Sequence, residues 1–183
     1  SLLGDSRIHI NEGALLTTVQ AVDLGTAELS LEGPGSFANE KAMVLAEGTG
    51  LVLSDSVIVG GAIELGAGGL HVLDNVTLSG DLSLTAGAAK VKVEGRLNYS
   101  GDTVSIGQRT LSLEGGGEFL NTSALVLDEA LSVVSLDGID NVSVIRVEAG
   151  YSGAGKGLLV NESAEVSALE VNESMELVIG ENA

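Results

Sequence analysis

Two stretches 82 positions apart read nearly alike. Leu29–Leu45 is LSLEGPGSFANEKAMVL, and Leu111–Leu127 is LSLEGGGEFLNTSALVL. Extended back to Val22 and Val104, the comparison gives 13 identities in 24 positions without a gap. A chain that copies itself in this way is built from units that bury their apolar faces only by stacking on one another.

The unit is shorter than the copy. Apolar residues alternate with polar ones over three to five positions and stop at Gly, Asn or Asp, the signature of short half-buried strands. One series of such pairs runs Ile8/Ile10, Leu29/Leu31, Leu51/Leu53, Leu70/Val72, Val91/Val93, Leu111/Leu113, Leu131/Val133 and Leu169/Val171, with room for a degenerate copy near Ala149/Tyr151. A second follows through Phe37, Val57, Val76, Leu97, Phe119, Ile139, Leu159 and Leu177. A third runs Val22/Leu24, Met43/Leu45, Ile63/Leu65, Leu82/Leu84, Val104/Ile106, Leu125/Leu127, Val142/Val144 and Ala164/Val166. All three share a spacing of roughly twenty, so the 82-residue copy spans four units. A fainter echo, Gly155–Ala164 against Gly115–Ala124, spans two.

This pattern predicts an all-β fold: a right-handed parallel β-helix with three short strands per coil of about 20 residues. Eight to nine coils would occupy residues 1–183 as a single domain, a segment or processed form of something longer. Composition agrees, because a thin core of stacked aliphatic layers has little room for large rings. Only Phe37, Phe119, Tyr99 and Tyr151 are aromatic, against 26 glycines and one proline. An antiparallel sandwich would need more aromatics, and a βαβ fold would need helices.

Glycines at recurring bends, Gly33/Gly35 and Gly115/Gly117 among them, supply positive φ or close backbone approach. The asparagines that follow, Asn39, Asn121 and Asn161, are expected at turns, with their amides bonded to the backbone or to neighbouring coils. The pattern Gly-x-Gly-x-Phe-x-Asn (GPGSFAN, GGGEFLN, and the looser GKGLLVN) resembles coils of secreted β-helical adhesins, the haemagglutinin-type proteins and autotransporter passenger domains. That resemblance implies a surface-exposed or secreted structural or adhesive rod, and no catalytic residues.

Charge narrows the partners. Eight basic against 26 acidic residues leave −18, which disfavours nucleic acid and anionic membrane. No apolar run reaches the length of a membrane span, and without cysteine there is neither a disulfide nor a thiolate metal site. The basic residues Arg7, Lys41, Lys90, Lys92, Arg96, Arg109, Arg146 and Lys156 do not recur at one coil position beside paired acids, as a β-helix lyase or hydrolase site would require. His9 and His71 each stand between aliphatics, so alternation predicts that both face outward, three coils apart and too distant to share a metal. Leu136–Asn141 (LDGIDN) and Leu73–Asn75 (LDN) carry oxygen ligands at turns without matching a calcium loop. No catalytic, cofactor or metal residue is therefore expected, beyond weak Ca²⁺ binding by surface acids.

Six Asn-x-Ser/Thr triplets, at Asn75, Asn98, Asn121, Asn141, Asn161 and Asn172, exceed the one or two that composition alone would produce. They read as turns copied with their coils or as candidate N-glycosylation sites of a surface protein. Apolar alternation persists from Ile8 to Met175–Gly180, with no evident cap. The expected partners are therefore further coils of a longer chain or other copies stacked end to end, with a carbohydrate or cell-surface ligand on the side. The leading reading is a non-enzymatic extracellular rod; the alternative is a carbohydrate-active β-helix enzyme.

Overall fold

A computed structural model describes residues 4–23, 27–66, 70–85, 87–127, 132–147, 158–161, 164–171 and 176–179. Among these, every regular element is a β-strand. The first coil holds β1 (Ser6–His9), β2 (Leu15–Thr18) and β3 (Val22–Asp23), and the second holds β4 (Glu28–Glu32), β5 (Ser36–Asn39) and β6 (Met43–Val44). The third comprises β7 (Gly50–Ser54), β8 (Ile58–Gly60) and β9 (Ile63–Leu65); the fourth, β10 (Leu70–Leu73), β11 (Val76–Leu78) and β12 (Leu82–Leu84). In the fifth lie β13 (Ala88–Val93), β14 (Arg96–Tyr99) and β15 (Val104–Ser105), and in the sixth β16 (Thr110–Glu114), β17 (Glu118–Asn121) and β18 (Leu125–Leu127).

The chain then changes character. β19 (Val133–Asp137) is followed by a single seven-residue strand, β20 (Asn141–Val147), and β21 (Leu158–Asn161) by another, β22 (Glu165–Val171), before β23 (Glu176–Ile179). β20 pairs through Asn141 and Val142 with β17 and through Ile145–Val147 with β18, so one strand serves two faces. Six coils therefore have three separate strands, fewer than the eight to nine expected; beyond them the second and third strands run together.

The molecule is a parallel β-solenoid. Its first sheet stacks nine strands in the order β1-β4-β7-β10-β13-β16-β19-β21-β23, one from each successive coil. At about 4.8 Å per strand this stack is about 38 Å long. Within each strand, alternate residues turn inward: Gly50–Ser54 buries Leu51 and Leu53, and Thr110–Glu114 buries Leu111 and Leu113. Those side chains stack into columns with Phe37, Met43, Ile63, Leu97, Phe119 and Leu125 from the other faces.

Register departs from the series in several places. Ile8 lies opposite Leu31, and Ser6 opposite Leu29, so the first coil is shifted by two residues. Leu51 faces His71, and Leu53 faces Leu73, which reverses the expected inward pair of β10. Val134 and Leu136 are the buried pair of β19, in place of Leu131/Val133; Leu131 lies outside the described residues. Leu159 and Leu177, expected on the second face, belong to the first sheet. Leu169/Val171, expected on the first, pair with Ile145/Val147. Ile139 is buried at the corner before β20, and Val142 with Val166 continues the Phe119 column. The Ala149/Tyr151 copy lies outside the described residues.

Candidate functional site

The strongest polar constellations sit where the first face turns into the second. A groove of about 350 Å³ runs over Asn75, Gly95, Arg96, Gly116, Gly117, Glu118 and Asp140, crossing four successive coils. Its glycines keep it open: a Cβ on Gly116 would meet nothing within 4 Å, so side-chain bulk is simply missing there. Arg96 lies opposite Glu118 across β14 and β17 and binds it through Nε at 3.0 Å and Nη2 at 2.9 Å. Asn75, at φ +53°, accepts the Arg96 backbone N–H at 3.2 Å and donates to Asp74 Oδ1 at 2.9 Å. Two carboxylates line the groove, with the nearest cation already held by one of them, so it offers polar contacts rather than an aligned acid and base.

Two further exposed ion pairs follow the same cross-coil logic. Lys90 meets Glu114 at 2.9 Å, and Arg7 meets Glu32 at 3.6 Å. Lys92 binds Glu94 on its own turn. The Lys90 and Lys92 ammonium groups are held above the ordinary range by hydrogen bonds to Glu114 and Glu94, respectively. Among the described residues no three His, Asp or Glu side chains gather as metal ligands.

Asn39 and Asn121 close the second face. Asn39 Nδ2 donates to the Lys41 carbonyl two residues on, at 2.7 Å, and to the Ala62 carbonyl of the next coil, at 2.8 Å. Asn121 Nδ2 does the same to Ser123 (2.9 Å) and Val144 (2.7 Å), and its Oδ1 accepts the N–H groups of Ser143 and Val144. Asn161 lies in β21 on the first sheet opposite Leu136, so it does not occupy the Asn39/Asn121 position, and the GKGLLVN echo does not mark an equivalent coil site.

The sequon asparagines are not alike. Asn75 and Asn98 are exposed, Asn141 is half-buried with its Oδ1 accepting from Ser167, and Asn121 is buried with both amide hydrogens committed to carbonyls. N-glycosylation replaces one of those hydrogens, so Asn121 has none to give in this fold. Asn172 lies outside the described residues.

The histidines separate. His9 is exposed, 3.7 Å from Glu32. His71, expected to face outward, is 1% exposed and points into the core between Leu51 and Val91. Local alternation missed this because Leu70 and Val72 look like the inward pair; the parity is set by Leu53 and Val93 stacking on Leu73.

No family model matches this chain, and no curated protein or solved structure matches it either. Fold and surface together define a β-solenoid protein.

Proposed function

We propose that this chain is a non-enzymatic structural or adhesive rod of the cell exterior, which holds a surface, a tip or a partner at a distance. The observation that carries the reading is the nine-stranded parallel stack of the first sheet. Its hydrogen bonds run along the rod axis from coil to coil, so extension works against every rung in series while the core columns resist bending. In this reading the end coils join further coils of a longer chain or other copies, because strand edges template pairing. Ligands such as a carbohydrate or a cell-surface group bind the sides, and glycans occupy exposed Asn75 and Asn98. Electron micrographs of native material test it: fibres with a repeat near one rod length make it a filament subunit, and rods projecting from a larger body make it an adhesin segment. Compact particles with no elongated axis overturn the reading.

A second reading rests on the corner groove. Its polar groups, Asn75, Arg96, Glu118 and Asp140, lie along the rod axis over successive coils, which suits a linear polysaccharide laid lengthwise. A carbohydrate-active enzyme would need the bound sugar to draw Glu118 away from Arg96 and into line with Asp140, and would then release reducing ends from such a polymer. Glu118→Gln would abolish that release while leaving the melting temperature little changed; no release from any acidic or neutral polysaccharide removes the reading.

A further inference from the structure

The core of the solenoid contains a titratable group that no surface role explains. His71 occupies a column whose neighbours above and below are Leu51 and Val91, and among the described residues neither ring nitrogen has a partner at hydrogen-bond geometry, the nearest polar group being the Gly66 backbone. The ring borders an internal cavity of about 10 Å³, lined also by Leu51, Leu65, Leu78, Leu97 and Phe119. Such a space is at the lower limit for one water, and its apolar walls offer that water no partner but the imidazole, so it stays dry. A buried polar ring left unsatisfied costs folding free energy even when neutral, and far more when charged.

We propose that His71 is a proton-triggered release built into the middle of the rod, so that mild acid opens the coils around β10. Among the described residues no carboxylate faces the ring to hold a proton there. Asp74 beyond its own strand, Lys90 and Lys92 of β13, Glu64 of β9, Arg96 of β14, Glu114 of β16 and Glu118 of β17 all occupy outward positions, and β7, β11 and β12 carry no charge. Burial lowers the imidazole pKa below its ordinary 6.5, opposed only by the Gly66 backbone. The sign follows: the unfolded chain binds a proton below pH 6.5 that the folded chain refuses. Stability therefore falls as pH drops through that value and is unaffected above it. Opening at the fourth coil would split the stack between its two ends, which makes the device independent of what the rod binds.

The test compares the full chain with His71→Leu, which extends the apolar column. The unfolding equilibrium constant of the wild type, divided by that of H71L, is expected to rise by up to about tenfold per pH unit below 6.5 and to stay constant above it. Protection factors of the amides in β7, β10 and β13, taken relative to the slower intrinsic exchange in acid, should fall with pH only in the wild type. A ratio that stays constant from pH 7.5 to 5 overturns the proposal. Should H71L fail to fold, imidazole NMR of the wild type decides: a His71 ring that remains neutral in the folded chain at pH 6 supports it, and one that becomes protonated there without opening refutes it.

Discussion

The two copied stretches lie four coils apart, yet they do not lie above one another. Following register partners from Leu29 leads through Leu51, His71 and Val91 to Leu113, not to its sequence counterpart Leu111. Leu111 stands instead on Ala89. The copy is 82 residues away, whereas the stacking distance is 84, a slip of two. Duplication reproduced the residues, but each strand then settled where its alternating leucines met apolar neighbours. A two-residue slip preserves which side chains face inward; a one-residue slip would turn every leucine out to solvent. Copied residues therefore keep their side of the sheet and acquire new neighbours.

Where the surroundings are backbone, the copies should behave alike, and this is the largest expected effect. Gly33 and Gly115 have φ of +98° and +100°, and an added Cβ would lie 2.6 Å from the Ile10 carbonyl or 2.5 Å from that of Val93. Gly33→Ala and Gly115→Ala should each cost about 3 kcal/mol, from strained φ plus a clash with an atom that cannot rotate away. Urea unfolding measures both; a cost below about 1 kcal/mol for either would separate the two turns.

Where the copied residue is a polar side chain that must find its own partners in the next coil, the copies should diverge. Asn121 satisfies both its oxygen and its nitrogen, while among the described residues the buried Asn39 Oδ1 has no partner and lies where a Cβ on Gly61, at φ +92°, would meet it. Asn121→Ala strands two N–H groups and two carbonyls and should cost about 3 kcal/mol; Asn39→Ala strands two carbonyls and should cost about 1.5 kcal/mol. Equal losses in the same urea assay would mean that the oxygen bonds of Asn121 contribute nothing net.

The aromatics give a smaller contrast. Phe119 stacks on Tyr99 with ring centroids 6.0 Å apart and planes 18° from parallel; among the described residues Phe37 has no such partner. Tyr99 is itself fixed, donating its hydroxyl to the Asp102 carbonyl at 2.6 Å and accepting the Leu82 N–H, and burial pushes its pKa up. Phe119→Leu should exceed Phe37→Leu by about 1 kcal/mol, the worth of an aromatic pair beyond its area. The double substitution with Tyr99→Leu should erase the excess, and a persistent difference would assign it to packing volume instead.

How much could be read beforehand follows from the same distinction. Strand alternation and a recurrence near twenty are local and additive, so the parallel solenoid, its three-strand coils and the inward faces of β4, β7 and β16 were legible. Register is a property of pairs of coils and is invisible in any one of them. Leu70 and Val72 therefore disguised the inward His71, and the merging of two faces in β20 and β22 moved Leu159, Leu169 and Leu177 to other sheets. The corner groove was missed for a related reason: Asn75, Arg96, Glu118 and Asp140 are about 22 residues apart and meet only when coil length is known to that precision.

The weakest expected effect tests what the copies share, their acidity. A net charge of −18 over a nine-strand stack places about two negative charges on each coil, at a spacing well within the roughly 8 Å screening length of physiological salt. Copies held in different registers feel this repulsion equally, because it depends on the density of charge along the axis and not on which side chain stands above which. Raising salt from low to molar concentration should therefore stabilise the whole rod by about 1 kcal/mol, a rise in melting temperature of roughly 2–4 °C, with Ca²⁺ effective at lower concentration. The cross-coil pairs Lys90–Glu114 and Arg96–Glu118 are screened by the same salt and work against the gain. A melting temperature that stays flat discards the repulsion unless local pairing cancels it. Repeating the scan with Lys90→Gln would then uncover the rise if that cancellation is real.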